Sequence, residues 1–212
     1  MAERLNIPAT KSNLIRLKEE LSFAREGLDL LDQKKEALMG QISILSTKAH
    51  RLRQHLNRSL AEAYAFLDQA LLFHGRLACE RAALSNVLNE RVQIRERSFM
   101  GVVLPLVKIE FSPARPAYGL QETGMAMDIT GVIIRETLET IAELAELEVG
   151  LFRLVAEIRK TIRRLNALEN IYLPLYQATV RHIQESLEEK EREALFQLKR
   201  LKGRKEAAYG PL

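Results

Sequence analysis

Residues 14–28 read LIRLKEELSFAREGL, and their seam residues recur at alternating steps of three and four positions. The same spacing continues to Ala70, with Lys35 and Ser59 as its polar positions. An isolated helix drifts out of a strict seven-residue repeat, because 3.6 residues per turn does not divide seven. A repeat sustained this long predicts that the face meets another helix in a left-handed coiled coil, a rod about 90 Å long.

A second stripe with the same spacing begins at Ile141. Its positions are Ile141, Leu144, Glu148, Leu151, Val155, Ile158, Ile162, Leu165, Glu169, Tyr172, Tyr176, Thr179 and Ile183. Two such stripes, separated by a middle segment without heptads, predict an antiparallel hairpin of helices. One antiparallel alignment matches Lys35 with Glu169 and brings Ser59 near Glu148. We interpret Lys35 and Glu169 as a register pair within the seam. The alternative is that both side chains reach water at its edge.

The predicted fold class is all-α: a long antiparallel two-helix left-handed coiled coil with a small middle head containing a short helix and a β-hairpin. Within the head, residues 98–112 are rich in Val and Ile and contain Pro105, which predicts an edge strand. We expect residues 117–120 to return beside it, and the resulting ribbon to be dispensable for the helicity of the rod. The predicted divisions are an N-terminal coiled-coil helix 1–72, a head 73–127, a C-terminal coiled-coil helix 128–203 and a flexible tail 204–212.

Two local signals refine the helices. Thr10 or Ser12 is positioned to cap the first helix, and Gly75 is the predicted stop. Pro174 lies inside the second helix, where it removes the bond to the carbonyl of Asn170 and predicts a kink.

The composition is that of long helices. Tryptophan is absent, aromatic residues make up 6% and charged residues 28% of the 212 residues. The single Cys79 excludes an internal disulfide and indicates a reducing compartment; we expect it to be a small buried apolar residue. No apolar run reaches the roughly 18 residues that cross a bilayer, and the N-terminus lacks the apolar core of a signal peptide. The prediction is a cytoplasmic protein.

Motifs for catalysis are missing from the sequence. It contains no phosphate-binding Gly-rich loop ending in Lys-Ser/Thr, no His-Glu-x-x-His and no Gly-x-Ser-x-Gly. His50 and His55 are five residues apart on a predicted helix, so they do not share a face. We therefore expect a non-catalytic chain without a metal or cofactor.

Basic residues are unevenly distributed around a net charge of +4. Between Ala37 and Ala61 there is no acidic residue, and the stretch predicted to face it is also basic, so the two form a partial basic collar. A second basic cluster lies near the C-terminus. A solvated face, an acidic protein partner and nucleic acid are the open interpretations. The collar comprises Lys48, Arg51, Arg53, Arg58, Arg153, Arg159, Lys160, Arg163 and Arg164, and the terminal cluster comprises Lys199, Arg200, Lys202, Arg204 and Lys205.

Several segments resemble one family. Residues 163–174, RRLNALENIYLP, are similar to the Arg-Arg-Val-Asn-Ala-Leu-Glu…Ile-Pro block of the D subunits of the V-type (vacuolar and archaeal-type) ATPases. Residues 183–204 resemble the C-terminal block of that family, 8–17 and 24–34 its N-terminal segments, and 99–105 its Ile-Met-Gly-Val-x-Val-Pro stretch. An additional Ala9 and a weaker match over residues 73–98 leave the contacts of the head open.

The resemblance implies a central-stalk rotor. Its ends would enter a hexamer of catalytic A and non-catalytic B subunits. Its middle would lie with a small stalk partner, the F subunit, above the protein that caps the membrane ring. ATP chemistry would occur in the hexamer, and the complex would be cytoplasmic and peripheral to the membrane. The residues expected to contact the hexamer are Arg163, Arg164, Lys199, Arg200 and Lys202.

Two other functions fit the helical hairpin. A prefoldin-like chaperone subunit also has two coiled-coil helices with β-hairpins between them, but it needs exposed apolar helix tips. A membrane-curving or nucleic-acid-binding hairpin would use the basic collar as its main surface.

Overall fold

The computed structural model describes residues 4–85, 90–111, 118–119 and 123–209. Its elements are helix α1 (Lys11–His74), helix α2 (Arg76–Ser85), strands β1 (Arg91–Phe99) and β2 (Val102–Glu110), helix α3 (Met125–Ala167), a π-helical turn (Leu168–Tyr172) and helix α4 (Leu173–Tyr209). The chain forms two compact units: unit 1 comprises residues 1–35 and 160–212, and unit 2 comprises residues 36–159. The predicted all-α coiled-coil class with a small β-hairpin is confirmed.

In unit 1, the start of α1 runs antiparallel to α4. Leu17 packs against Val180 and Ile183 in an apolar cluster, whereas the Lys11 ammonium reaches the Glu191 carboxylate at 2.8 Å. The Thr10 hydroxyl accepts a hydrogen bond from the backbone N–H of Asn13 at 3.3 Å, so of the two predicted caps, Thr10 and Ser12, it is Thr10 that caps the helix. The residues before Thr10 also contribute to the core of unit 1, because Leu5, Ile7 and Ala9 pack on the same cluster.

In unit 2, the later part of α1 runs antiparallel to α3. Leu38 packs with Leu154 and Ile158, and further along α1 Ala49 packs with Leu144 and Leu147. The α1 stripe is confirmed, because every seam position from Leu14 to Ala70 is buried or half-buried. The helix ends at His74, followed by Gly75 with a φ of 76°. A left-handed residue at this point is the usual helix stop.

The hairpin differs from the predicted ribbon. β2 pairs with the upstream β1, in the register Phe99↔Val102 to Arg91↔Glu110. Met100 and Gly101 both have positive φ, at 49° and 82°, as a two-residue hairpin turn requires. The expectation that residues 117–120 return as the partner strand was wrong at Tyr118 and Gly119, which are outside any strand, whereas residues 117 and 120 lie outside the described part of the chain. The predicted turn at 112–116 lies outside the described residues.

The hairpin is part of the core of unit 2. Val102 and Leu104 are buried against Leu38, Leu154 and Ile158. This packing was not predicted from the sequence, where we expected the ribbon to contribute little to the coiled-coil seam. The division of the chain at residues 72, 127 and 203 remains a prediction.

Candidate functional site

The second half of the seam changes phase at the π turn. Before the turn, Thr161 and Leu165 are buried; after it, the buried or half-buried series is Leu173, Tyr176, Val180, Ile183 and Leu187. Relative to a seven-residue repeat, the later series is displaced by one residue. A π turn accommodates one additional residue in a helix, so it accounts for the displacement. The predicted stripe kept one phase throughout, and was wrong to place Glu148 and Ile162 in the seam, because both are exposed and the structure instead buries Leu147 and Thr161.

Pro174 explains the position of this turn. Proline lacks the N–H that would bond the carbonyl of Asn170, and its ring crowds that carbonyl. The backbone N–H of Leu173 instead bonds the carbonyl of Leu168, five residues earlier. The Asn170 side-chain amide donates to the carbonyl of Asn166 at 3.1 Å. Where the sequence predicted a kink at Pro174, the structure has a widened helical turn, in which an asparagine side chain satisfies a backbone carbonyl.

Beside this turn, unit 1 carries an aromatic groove of about 280 Å³. Phe23 and Tyr172 remain 77% and 47% exposed, although aromatic side chains contribute most to packing when buried. The groove has the composition of a protein interface, where aromatic residues are enriched. Its lining is Glu20, Phe23, Ala24, Gly27, Leu168, Tyr172 and Tyr176. Sequence reasoning missed it; the available signal was Phe23, an aromatic residue outside the heptad stripe.

The five residues expected to contact a hexamer all belong to unit 1 and are exposed. Arg163 and Arg164 lie in the last turns of α3, before the π turn, and Lys199, Arg200 and Lys202 lie on α4. On α4, residues 191–205 are exposed on every side, including Leu195, Phe196, Leu198 and Leu201 at 62–68% exposure. This segment therefore combines apolar anchors with cations, while the contacts themselves remain a prediction.

The two polar positions of the α1 stripe have other partners in the structure. The half-buried Lys35 ammonium binds the carboxylate of Asp32 on its own helix. Glu169 lies in the π turn and is exposed, and its pairing with Lys35 remains a prediction. Ser59 hydrogen-bonds the His55 ring at 3.0 Å, whereas Glu148 binds Arg53.

The basic collar is partly neutralised within unit 2. Lys48 pairs with Glu143 at 2.6 Å, and Arg53 pairs with Glu148. The Arg153 guanidinium donates to the backbone carbonyl of Val103 at 2.8 Å. Three cations of the collar therefore make contacts within unit 2.

No constellation for metal chemistry is found in the described part of the chain, where no three His, Cys, Asp or Glu side chains cluster as ligands. Cys79 is buried, as predicted, at 6% exposure. A pKa shift with a structural role occurs at Tyr118, whose phenol donates to Asp128. Burial and this neighbouring carboxylate raise the pKa of Tyr118 to about 12. Among the described residues, no helix combines the length and hydropathy that crossing a bilayer requires.

Comparison with known proteins agrees with this architecture. Residues 13–203 match the family described as the ATP synthase D subunit. The A-type ATP synthase D subunit of Thermococcus kodakarensis is 37% identical over 213 residues, 99% of this chain and 100% of that protein. The corresponding protein of Thermococcus gammatolerans is 38% identical with the same coverage. The V-type ATP synthase D subunit of Thermotoga neapolitana is 37% identical over 198 residues, 93% of this chain and 98% of that protein.

The paired helices, the small hairpin and these relatives define the class of protein: a helical subunit of the kind found in A- and V-type ATP synthases. The chain belongs to the ATP synthase D-subunit family. The resemblance identified from the sequence is confirmed, and it favours the rotary-ATPase interpretation over the prefoldin-like one.

Proposed function

We propose that this chain is the central-stalk rotor shaft of a V/A-type rotary ATPase. In this role it couples ATP hydrolysis or synthesis in a catalytic hexamer to ion translocation in a membrane ring. The observation that carries the proposal is the match to the ATP synthase D-subunit family over residues 13–203, on a chain whose long helices pair antiparallel within each unit.

The packing supports a mechanical role. In unit 2, Leu38 and Leu154 are fully buried between α1 and α3, and the ion pairs of Lys48 and Arg53 join the same two helices at the surface. Interdigitated side chains resist sliding and twisting, because protein interiors are as densely packed as organic crystals. A shaft built in this way transmits torque along paired helices instead of unwinding under it.

The proposed partners follow from this role. The catalytic A and non-catalytic B subunits surround the shaft, the small F subunit of the stalk binds beside it, and a cap protein links it to the membrane ring. The shaft carries no catalytic group or cofactor, and lies on the cytoplasmic side as a peripheral part of the complex. Its contacts with the hexamer include Arg163, Arg164, Lys199, Arg200 and Lys202, all exposed cations of unit 1.

Rotation is the property that tests the proposal. A Leu84→Cys change introduces a thiol at a side chain that is 85% exposed, in a Cys79→Ala background that removes the buried native thiol. With the hexamer immobilised through its catalytic subunits, a gold particle on this thiol should rotate in one direction when ATP is added. The Cys79→Ala chain without the new thiol should carry no particle. A particle that stays still while the complex hydrolyses ATP at its normal rate would show that the chain is not the rotor.

A further inference from the structure

The outer edge of β1 carries a row of backbone hydrogen-bonding groups that no other described strand pairs with. Phe99 and Val102 flank the two-residue turn and face each other, so they exchange hydrogen bonds, and the bonded pairs alternate from there along the ladder. The N–H and C=O groups of the intervening residues of β1 therefore point away from β2. Those residues are Val92, Ile94, Glu96 and Ser98. In the described part of the chain the sheet has two strands only, so none pairs with this edge.

The outer edge of β2 is partly covered by side chains of α3. The N–H of Val107 donates to the Glu146 carboxylate at 3.0 Å, and the carbonyl of Val103 accepts from Arg153 at 2.8 Å. Between them, Pro105 has no N–H to satisfy. These contacts agree with the alternation derived from the turn. Among the described residues, the sheet is thus open on the β1 side, whereas side chains of α3 occupy two outward groups on the β2 side.

The two faces of β1 differ in chemistry. Val92 and Ile94 point to the outer face and are 59% and 69% exposed. The opposite face carries Arg91, Arg95 and Arg97, all exposed. Arg95 and Arg97 lie opposite Leu106 and Leu104 on β2, and only Arg91 has an acidic cross-strand neighbour, Glu110. That carboxylate also accepts a hydrogen bond from Gln93.

The arginine charges of β1 determine which kind of strand could pair with its outer edge. Antiparallel pairing of β1 with a second copy, centred on Arg95, would place Arg95 opposite Arg95 and Gln93 opposite Arg97. Like charges directly opposite each other are destabilising, and opposite charges are favourable. Charged residues commonly protect exposed edges against unwanted strands. A cationic row does so against neutral and cationic strands, but attracts an acidic one.

We propose that the open edge of β1 binds an extended acidic segment of a partner protein by strand addition. The segment places carboxylates opposite Arg91, Arg95 and Arg97, and places apolar side chains beside Val92 and Ile94 on the other face. Backbone hydrogen bonds to residues 92, 94, 96 and 98 supply affinity, and the alternation of acidic and apolar residues supplies specificity. This surface is separate from the proposed shaft role and does not depend on it.

The test uses the full-length chain and a nine-residue peptide in which Glu and Val alternate. We expect saturable binding, with slowed amide hydrogen exchange at residues 92, 94, 96 and 98. The N–H groups of residues 93, 95 and 97 already face β2 and should change little. A peptide N-methylated at alternate residues on the bonding edge should bind at least about tenfold more weakly, because it loses several backbone hydrogen bonds.

Variants of the chain separate the contribution of the backbone hydrogen bonds from that of the arginine charges. Ile94→Pro removes one outward N–H without removing a hairpin bond and should weaken binding, whereas Ile94→Ala keeps that N–H and serves as its matched control. Reversal of Arg91, Arg95 and Arg97 to Glu should abolish binding of the acidic peptide. The proposal is overturned if the peptide does not bind, if N-methylation has no effect, or if the edge is occupied by a second copy, seen as a dimer that Ile94→Pro dissociates. The N-methylated peptide tests the edge even if a variant misfolds.

Discussion

The carboxylate of Glu146, on α3, accepts a hydrogen bond from the backbone N–H of Val107, in β2, at 3.0 Å. It joins a helix to a strand 39 positions earlier in the chain. Together with the burial of Leu104 against Leu154, it makes the hairpin a structural part of unit 2. Deletion of the hairpin should therefore destabilise the helices around it.

The first prediction concerns this hydrogen bond. Glu146→Ala should lower the free energy of unfolding by about 1–2 kcal/mol, since hydrogen bonds to charged groups contribute roughly 1.5–3 kcal/mol and this one is only partly buried. Denaturant unfolding measures the loss, and faster amide exchange at Val107 localises it. Glu143→Ala is the matched control, because it breaks an exposed ion pair to Lys48 and should cost less than about 1 kcal/mol. Equal losses for the two variants would contradict the assigned role of Glu146.

A second prediction tests the core beneath the hairpin. Leu154 is 0% exposed, and Leu154→Ala should lower the free energy of unfolding by about 2–5 kcal/mol through lost burial and a cavity. Phe152, two residues away, is 77% exposed, so Phe152→Ala should change it by less than about 0.5 kcal/mol. Chemical denaturation of both variants makes the comparison. A larger loss at Phe152 would mean that the seam follows another face of α3.

The π turn gives a third prediction. Deleting Ile171 removes one residue, and Pro174→Ala restores the missing N–H, so the combination should produce a continuous α-helix with the seam in phase. We expect its unfolding free energy to stay within about 1 kcal/mol of the parent. Deleting Gln177 with Pro174 retained keeps the π turn, rotates the following helix by about 100° and should cost about 3 kcal/mol or more by exposing Val180 and Ile183. Equal melting of the two deletions would show that the turn does not reset the seam.

Tyr118 gives a prediction about pH. Its pKa is raised to about 12, so the folded state favours the neutral phenol. The resulting stabilisation is complete below about pH 10, the ordinary tyrosine pKa, and is lost as the pH rises through the folded value. A difference titration at 295 nm between the parent and Tyr118→Phe should show one phenol ionising near pH 12. Asp128→Asn keeps the residue size and should move that midpoint downward. A midpoint near pH 10 in the parent would refute the contact with Asp128.

The final prediction concerns the cations of α4. Changing Lys199, Arg200 and Lys202 together to Glu should weaken assembly with the ATPase hexamer and alter its dependence on salt. The reason is that charges on the two partners steer their association, and dissolved salt screens those charges. Each exposed pair contributes only about 0.2–1 kcal/mol, so single changes should be tolerated. The control exchanges Lys for Arg and Arg for Lys at the same positions, which conserves the charge. If the triple reversal assembles and turns over normally at every salt concentration, apolar and shape contacts hold this segment.

How far the sequence predicted the fold depended on the regularity of each helix. The stripe of α1 was correct throughout, because one uninterrupted α-helix keeps one phase. The stripe in α3 and α4 was correct at Leu144, Leu151 and Ile183 but wrong at positions such as Glu148. Pro174 was recognised as an irregularity, yet a proline does not reveal whether the helix bends or gains a residue. The phase beyond it could therefore not be read from spacing alone.

The hairpin and the aromatic groove were harder to predict for different reasons. β1 reads RVQIRERSF, and its charges conceal a strand that is open to solvent on almost every side. The hydrophobic β2 was identified, but its partner was placed downstream. The groove at Phe23 and Tyr172 joins residues from distant parts of the sequence, so only the packing of α1 against the π turn reveals it. Lys199 is exposed, as charge on a helix predicts, and its contact with the hexamer stays a prediction.

The bonds that anchor β2 to α3 also oppose self-assembly. Fibrous cross-β growth requires each chain to accept a strand on one side and offer an edge on the other. In this hairpin, two groups of that second edge, the N–H of Val107 and the carbonyl of Val103, are occupied by Glu146 and Arg153. A chain that captured a strand at β1 would therefore offer a poorer edge to the next chain. The contacts that anchor the hairpin to its helix thus also work against amyloid growth.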